Sequence, residues 1–80
     1  MEIRYPATIA EQTDGTFFIQ FVDFPEAFTE GQTLADALFN AAEVLSGVLA
    51  FRFDEGQAVP APTQNVKGTR YIAPDAKTFS

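Results

Sequence analysis

The chain has 80 residues and contains neither cysteine nor histidine, so disulfide bonds, thiolate metal sites and a histidine general base are excluded within it. Its formal net charge is −6, from eleven acidic and five basic residues. This charge argues against direct binding to nucleic acid, because that binding depends on Lys and Arg replacing counterions. A chain this short buries only about 60% of the surface that its unfolded form exposes. We therefore expect self-association or a basic protein partner to bury more apolar surface.

The charge is unevenly distributed along the chain. Residues 1–55 contain ten acidic and two basic residues, a net charge of −8, whereas residues 56–80 contain three bases and one acid, a net charge of +2. No apolar run reaches the length of a membrane span, and the N-terminus lacks the pattern of a signal peptide. These observations predict a cytoplasmic protein with an acidic body and no membrane contact.

The first third of the chain predicts a β-hairpin. Residues 2–11 alternate between apolar and polar side chains, which is typical of a half-buried strand. Because Pro6 cannot donate a ladder hydrogen bond, we expect it at a sheet edge or a bulge. Asp14-Gly15 suits a tight turn, and residues 16–22 form a second strand. This strand is apolar on both faces, one with Phe17, Ile19 and Phe21 and the other with Phe18 and Val22.

A capped helix follows the hairpin. Ala27–Glu30 predicts a short third strand, and Gly31 marks a turn. Thr33 is the expected N-cap, because its hydroxyl can accept from the free N–H groups of the first turn, and Asp36 stands where the acid of a capping box belongs. The helix is predicted from Leu34 to about Arg52. Its apolar stripe is expected to pack on the Phe17 face of the second strand. The stripe consists of Leu34, Ala37, Leu38, Ala41, Leu45, Val48 and Leu49.

The last part of the chain completes the predicted sheet. The prolines of Val59-Pro60-Ala61-Pro62 predict an extended connector, and Arg70–Ala73 predicts a final strand. We expect this tail strand to fold over Phe51 and Phe53 at the helix end. Gly47 inside the helix indicates either a close approach by another element or a tolerated weakness of about 1 kcal/mol.

The pattern as a whole predicts an α+β fold in the order β-β-(β)-α-β. It is a small antiparallel sheet of three to four strands with one main helix packed on one face. One domain is expected over residues 1–74, followed by a flexible tail over residues 75–80.

The carboxylates were the first candidates for chemistry. A metal-dependent nuclease needs several of them in one cleft. Asp14 and Asp23 fall at opposite ends of one predicted strand, and Glu43 lies on the helix, so a solvated acidic surface is the preferred interpretation. Ser46 has no histidine to activate it as a nucleophile. No catalytic residue, cofactor or metal ligand is predicted.

Apolar side chains outside the predicted core are better candidates. Aromatic residues beside acids are typical anchors of protein interfaces. Phe18 and Val22 lie on the strand face away from the helix, and Phe39 lies on the polar side of the helix. The predicted partner-binding residues are Phe18, Val22, Asp23, Glu26 and Phe39.

Several short motifs, with their spacing, resemble the HicB family of antitoxins. The motifs are Tyr5-Pro6-Ala7, Asp14-Gly15, Asp23-Phe24-Pro25, Thr29-x-Gly31-x-Thr33, Ala37, Ala41-x-Glu43-x-Leu45 and Val59-Pro60-x-Pro62. The resemblance covers residues 3–63. It implies a partial ribonuclease-H-like domain that binds a small basic HicA-type toxin, an mRNA ribonuclease that uses a histidine. The antitoxin would cover the active site and the RNA-binding surface of that toxin, and family members also associate with themselves.

Two positions depart from the family pattern, and two other functions stay open. Glu26 stands where the family usually has glycine, and Asp36 replaces the usual glutamate. Nothing after Pro74 is long enough for the operator-binding segment of many HicB antitoxins, so DNA binding is not carried over. The alternatives are a degenerate metal-dependent nuclease of ribonuclease-H type and a homo-oligomeric scaffold or small-ligand binder without a toxin. The nuclease would use Asp14, Asp23 or Glu43.

Overall fold

The computed structural model describes residues 3–74. The elements, in chain order, are β1 (Tyr5–Glu11), β2 (Phe17–Phe21), β3 (Phe28–Gly31), α1 (Leu34–Asp54) and β4 (Thr69–Ile72). The four strands form one antiparallel sheet in the order β3-β2-β1-β4, and α1 packs on one face of it. The predicted α+β fold is confirmed, and the optional third strand is present. The flexible tail predicted over residues 75–80 lies outside the described residues.

The β1–β2 hairpin closes through a polar loop of residues 13–15. Gly15 adopts a φ of +87°, a left-handed conformation that costs glycine little, and its N–H donates to the Gln12 carbonyl. Asp14 Oδ1 accepts from the Thr16 N–H at 3.0 Å and from the Thr16 hydroxyl at 2.6 Å. These hydrogen bonds to the ionised carboxyl lower the pKa of Asp14 below its ordinary value. A three-residue loop with glycine in the left-handed position replaces the two-residue turn that Asp14-Gly15 suggested.

The sequence suggested that Pro6 lies at a sheet edge or a bulge, but the structure places it in a central strand. It belongs to β1, which has β2 on one side and β4 on the other. The Pro6 carbonyl accepts from the Val22 N–H at 3.0 Å, so its nitrogen also points towards β2. Pro6 lies one residue beyond the last β1–β2 pair, Ala7 with Phe21. A central strand tolerates the missing donor there because the ladder is already ending.

Helix α1 begins as the sequence predicted. The Thr33 hydroxyl accepts from the Asp36 N–H at 3.0 Å, and the helix extends to Asp54, two residues further than expected. Most of the predicted stripe forms the core side of the helix, in which Ala37, Ala41, Leu45 and Leu49 are fully buried. Leu34, the first residue of the predicted stripe, is instead 37% exposed. The four buried residues share one cluster with Ile19 and Phe21 of β2 and with Phe24 and Ala27 of the β2–β3 loop.

The outer side of α1 is more apolar and more exposed than expected. Phe51 and Phe53 are 58% and 64% exposed, so the prediction that the tail strand folds over them is wrong. The tail strand β4 instead pairs with β1, because β1 still has a free hydrogen-bonding side. Nothing lies within 4 Å of a Cβ built at Gly47, so the described residues provide no close approach there.

By length and composition alone, α1 is apolar enough to cross a membrane. This corrects the expectation that no segment reaches that length: only Asp36 and Glu43 are charged within residues 34–51. The core helix of a soluble protein passes the same test. Here one side of the helix is buried against the sheet, which accounts for much of its apolar character.

Candidate partner-binding surface

The sheet face opposite α1 carries an exposed aromatic pair. Phe18 of β2 is opposite Glu30 of β3, and Gln20 is opposite Phe28, which makes the two phenylalanines diagonal neighbours on one face. Their ring centroids are 6.0 Å apart with an interplanar angle of 31°. Phe28 is 54% exposed, whereas Phe18 is half-buried. Diagonal packing on Phe18 therefore holds Phe28 in place without removing it from solvent.

Two shallow clefts flank β3, one on each side of the strand, and Glu30 borders both of them. The cleft on the helix side has a volume of about 430 Å³, and its lining includes Glu30, Asp36, Phe39 and Asn40. The cleft on the open sheet face has a volume of about 420 Å³, and its lining includes Phe18, Phe28 and Glu30. We call the surface formed by Phe18, Phe28, Glu30, Asp36 and Phe39 the β3 rim.

The helix side of the β3 rim is built by the start of α1. Phe39 is 61% exposed, because it lies in the second turn of the helix, on the side that faces away from the sheet. The next residue, Asn40, reaches back over the strand, and its Nδ2 donates to the Glu30 carbonyl at 3.1 Å. Gly31 allows the strand to pack close to the helix because it has no side chain. A Cβ added at this position would lie 2.4 Å from the Ala37 nitrogen.

The two predicted acidic contact residues have partners inside the chain. The Asp23 carboxylate accepts from the N–H and from the hydroxyl of Thr63. Glu26 forms an ion pair with Arg52, whose Nη2 lies 2.7 Å from Glu26 Oε2, and this hydrogen bond lowers the pKa of Glu26 below its ordinary value. These contacts tie the β2–β3 loop to the helix end and to the connector after the helix.

Arg52 and Tyr5 complete this set of ties at the end of the sheet. Arg52 donates to the Ala58 carbonyl at 3.0 Å, and its guanidinium lies 4.8 Å from the centroid of the Phe24 ring. The Tyr5 hydroxyl donates to the Pro60 carbonyl at 2.7 Å. Burial, followed by the nearby charge of Asp23, raises the pKa of Tyr5. The proline-rich connector is thus held at several points.

The five predicted contact residues do not form one patch. Phe18 and Val22 are on the open sheet face as predicted, and Phe39 lies beyond the β3 strand on the helix side. Asp23 and Glu26 are in the loop between β2 and β3.

Sequence reasoning missed Phe28 and Glu30, which join the open sheet face to Phe39. The period-two spacing of Phe28 and Glu30 is a signal for one shared face. It becomes informative only when the register with β2 is known.

The carboxylates considered for a nuclease are spread out. Asp14 is in the β1–β2 loop, Asp23 follows the other end of β2, and Glu43 is on the exposed side of α1. Within residues 3–74, no group of three or more acidic residues is placed to hold a metal ion.

The fold and the order of the sequence motifs define a class of protein. The family model for the HicB-like antitoxin of bacterial toxin–antitoxin systems matches residues 4–74, and the chain belongs to this family. Among curated proteins, antitoxin HicB of Escherichia coli (strain K12) is 36% identical over 61 residues, which are 76% of this chain and 44% of that protein. Antitoxin HicB 1 of Photorhabdus laumondii is 37% identical over 60 residues, which are 75% of this chain and 39% of that protein.

The chain therefore spans less than half the length of these curated relatives. A solved structure, the N-terminal domain of Burkholderia pseudomallei antitoxin HicB, has the same fold with a TM-score of 0.75. The two sequences are 17% identical, and the match covers 92% of this chain and 98% of that one.

Proposed function

We propose that this chain neutralises a small basic HicA-type toxin, an mRNA ribonuclease, by covering the toxin's active site and RNA-binding surface. The observation that carries the proposal is the β3 rim, which combines three exposed or half-exposed phenylalanines with two carboxylates. A surface of this kind is complementary to a protein built to bind RNA, because the acids match basic residues and the aromatic rings supply apolar contact area.

The distribution of basic residues supports the β3 rim as the contact surface. Residues 3–74 contain four bases, and none of them lines either cleft beside β3. Arg52 is paired with Glu26, while Lys67 and Arg70 belong to the opposite edge of the sheet, at and just before β4. A basic partner is therefore attracted to the β3 side rather than to the β4 side.

The five residues predicted from sequence have different parts in this proposal. Phe18 and Phe39 contact the toxin directly from the two sides of β3, and Val22 borders the open sheet face. Asp23 and Glu26 contribute mainly by holding the β2–β3 loop, because each already has an internal partner.

The proposed action is stoichiometric contact in the cytoplasm, where mRNA is located, with no turnover and no cofactor. Self-association of the chain and the partial ribonuclease-H-like character implied by the family resemblance belong to the same proposal. Purified protein should leave RNA intact. RNA cleavage that is abolished by replacing one carboxylate would instead favour the nuclease alternative.

The test is a pair of matched substitutions measured by calorimetry. Phe28→Ser changes the β3 rim, whereas Phe51→Ser changes an equally exposed phenylalanine at the helix end. The titrant is a purified HicA-type toxin with its catalytic histidine replaced. We expect Phe28→Ser to weaken binding about tenfold or more, as is typical of an interface hot spot, and Phe51→Ser to leave it nearly unchanged. Failure of the wild-type chain to bind at low micromolar concentration would contradict the proposal.

A further inference from the structure

The main chain of β3 presents unused hydrogen-bonding groups to solvent. The Phe21 N–H donates to the Ala27 carbonyl at 3.0 Å, which fixes the alternation of the β2–β3 ladder. Thr29 and Gly31 then bond to β2, because they are opposite Ile19 and Phe17. The intervening residues direct their N–H and C=O groups away from the sheet. Phe28 and Glu30 therefore form an open strand edge.

One side chain covers part of this edge. Asn40 Nδ2 donates to the outward carbonyl of Glu30 at 3.1 Å, which agrees with the direction that the strand register gives this carbonyl. In the described part of the chain, no strand lies on the outer side of β3. The N–H of Glu30 and both main-chain groups of Phe28 are thus available to a strand from another molecule.

The opposite edge of the sheet has the same geometry and the opposite charge. The Pro6 carbonyl points to β2, so Tyr5 and Ala7 bond to β4, and Thr69 and Tyr71 of β4 direct their main-chain groups outward. This edge is flanked by Lys67 and Arg70, whereas the β3 edge carries Glu30 and lies beside Asp36. A strand rich in Lys or Arg is attracted to β3 and repelled by β4.

The clefts beside β3 are placed to receive the side chains of such a strand. Side chains of an added strand alternate between the two faces of the sheet. One set points towards Phe18 and Phe28 on the open face, and the other points towards Asp36 and Phe39 on the helix side. Main-chain hydrogen bonds then supply affinity, while the alternating clefts supply specificity, which is the recognition mode of β-strand addition.

We infer that the partner binds by adding an extended, basic strand to the free edge of β3, so that the four-stranded sheet becomes a five-stranded sheet shared by two molecules. The inference rests on the proposed function for the identity of the partner as a HicA-type toxin. The added strand displaces the Asn40 amide from the Glu30 carbonyl and takes its place.

Amide hydrogen exchange followed by NMR tests this geometry on the unmodified chain. The ¹⁵N-labelled chain is measured alone and with the same HicA-type toxin whose catalytic histidine is replaced. We expect the amides of Phe28 and Glu30 to exchange quickly in the free chain and at least about 100-fold more slowly in the complex. The outward amides of Thr69 and Tyr71 are the matched control and should keep their rates.

The possible outcomes separate the two proposals. If the complex forms while Phe28 and Glu30 exchange as fast as before, strand addition at β3 is wrong and the antitoxin function stands. If protection appears at Thr69 and Tyr71 instead, the wrong edge has been assigned. If no complex forms, the proposed function fails, and the inference fails with it.

A set of substitutions at the edge gives a second test. Glu30→Pro removes the outward N–H and the charge, whereas Glu30→Gln removes only the charge. We expect the proline variant to bind the same toxin at least tenfold more weakly than the glutamine variant, and Thr69→Pro on the other edge to bind like the wild type. Equal affinities of the two Glu30 variants would contradict a main-chain contact. Circular dichroism spectra confirm that each variant is folded.

Asn40→Ala tests whether the partner displaces the Asn40 amide from the Glu30 carbonyl. Removing the amide frees the Glu30 carbonyl for the incoming strand, so the affinity for the toxin should rise about two- to tenfold, the range expected for one hydrogen bond. An unchanged or lower affinity would contradict the displacement of Asn40 by the partner.

Discussion

Replacing Gly31 with alanine should destabilise the protein strongly. A Cβ at this position would lie 2.4 Å from the nitrogen and 2.8 Å from the Cα of Ala37. Both atoms belong to the main chain of the first helical turns, so they cannot move aside as a flexible side chain would. Overpacking of this kind costs roughly 3 kcal/mol, the upper part of the usual range. The lower entropy of the unfolded alanine variant offsets about 0.4–1 kcal/mol of that cost.

Gly31→Ala should therefore lower the free energy of unfolding by about 2 kcal/mol, and this loss should lower the melting temperature by about 8–16 °C in a domain of this size. Gly47→Ala is the matched control, because it makes the same chemical change within the helix and meets no atom within 4 Å. The better helix propensity of alanine should raise the stability by about 1 kcal/mol and the melting temperature by about 4–8 °C.

Both variants are measured under the same conditions by thermal unfolding, followed by far-UV circular dichroism, which reports the helix content. The opposite signs are the essential result. If Gly31→Ala melts at or above the wild-type temperature, the close packing of β3 on α1 is not what the structure indicates. If Gly47→Ala is destabilised as well, the outer side of the helix has a packing partner that the described residues do not provide.

Three further substitutions test individual contacts. Tyr5→Phe removes the hydrogen bond to the Pro60 carbonyl and should cost about 1 kcal/mol in urea unfolding; an unchanged midpoint would show that the bond contributes nothing. Thr33→Ala removes the N-cap acceptor and should also cost about 1 kcal/mol, whereas Thr33→Ser should retain most of the stability. Glu26→Gln breaks the pair with Arg52. Because the pKa of Glu26 is lowered in the folded state, the pair stabilises the protein above the ordinary carboxyl pKa of about 4.3 and is lost as the pH falls through the lower folded value. The variant should therefore melt below the wild type at neutral pH and converge with it in acid, and a constant difference at every pH would contradict this assignment.

Local features of this fold were predictable from the sequence because each one depends on neighbouring residues. The Thr33 cap, the left-handed Gly15 and the buried stripe of α1 follow from short-range rules about hydrogen bonding and periodicity. The pairing of strands that are far apart in the sequence was harder to predict. The position of Pro6 in a central strand depends on where β4 pairs, and β4 lies more than 60 residues further along the chain.

The candidate surface likewise combines features that neighbouring residues predict with features that depend on long-range pairing. Phe18 and Phe39 could be identified from their place on the wrong side of a strand and of a helix. Joining them required Glu30, whose position at the edge depends on the register between β2 and β3. The internal bond between Asp23 and Thr63 spans 40 residues and leaves no local signal in the sequence.

The opposite charges of the two sheet edges carry a hazard for the protein itself. The β3 edge of one copy is complementary to the β4 edge of the next, and a head-to-tail contact of this kind does not close into a ring unless a rotation brings the ends together. Repeated, it would build fibres. In the free chain the Asn40 amide bonds to the Glu30 carbonyl, so part of the β3 edge is already occupied and pairing between copies becomes less favourable.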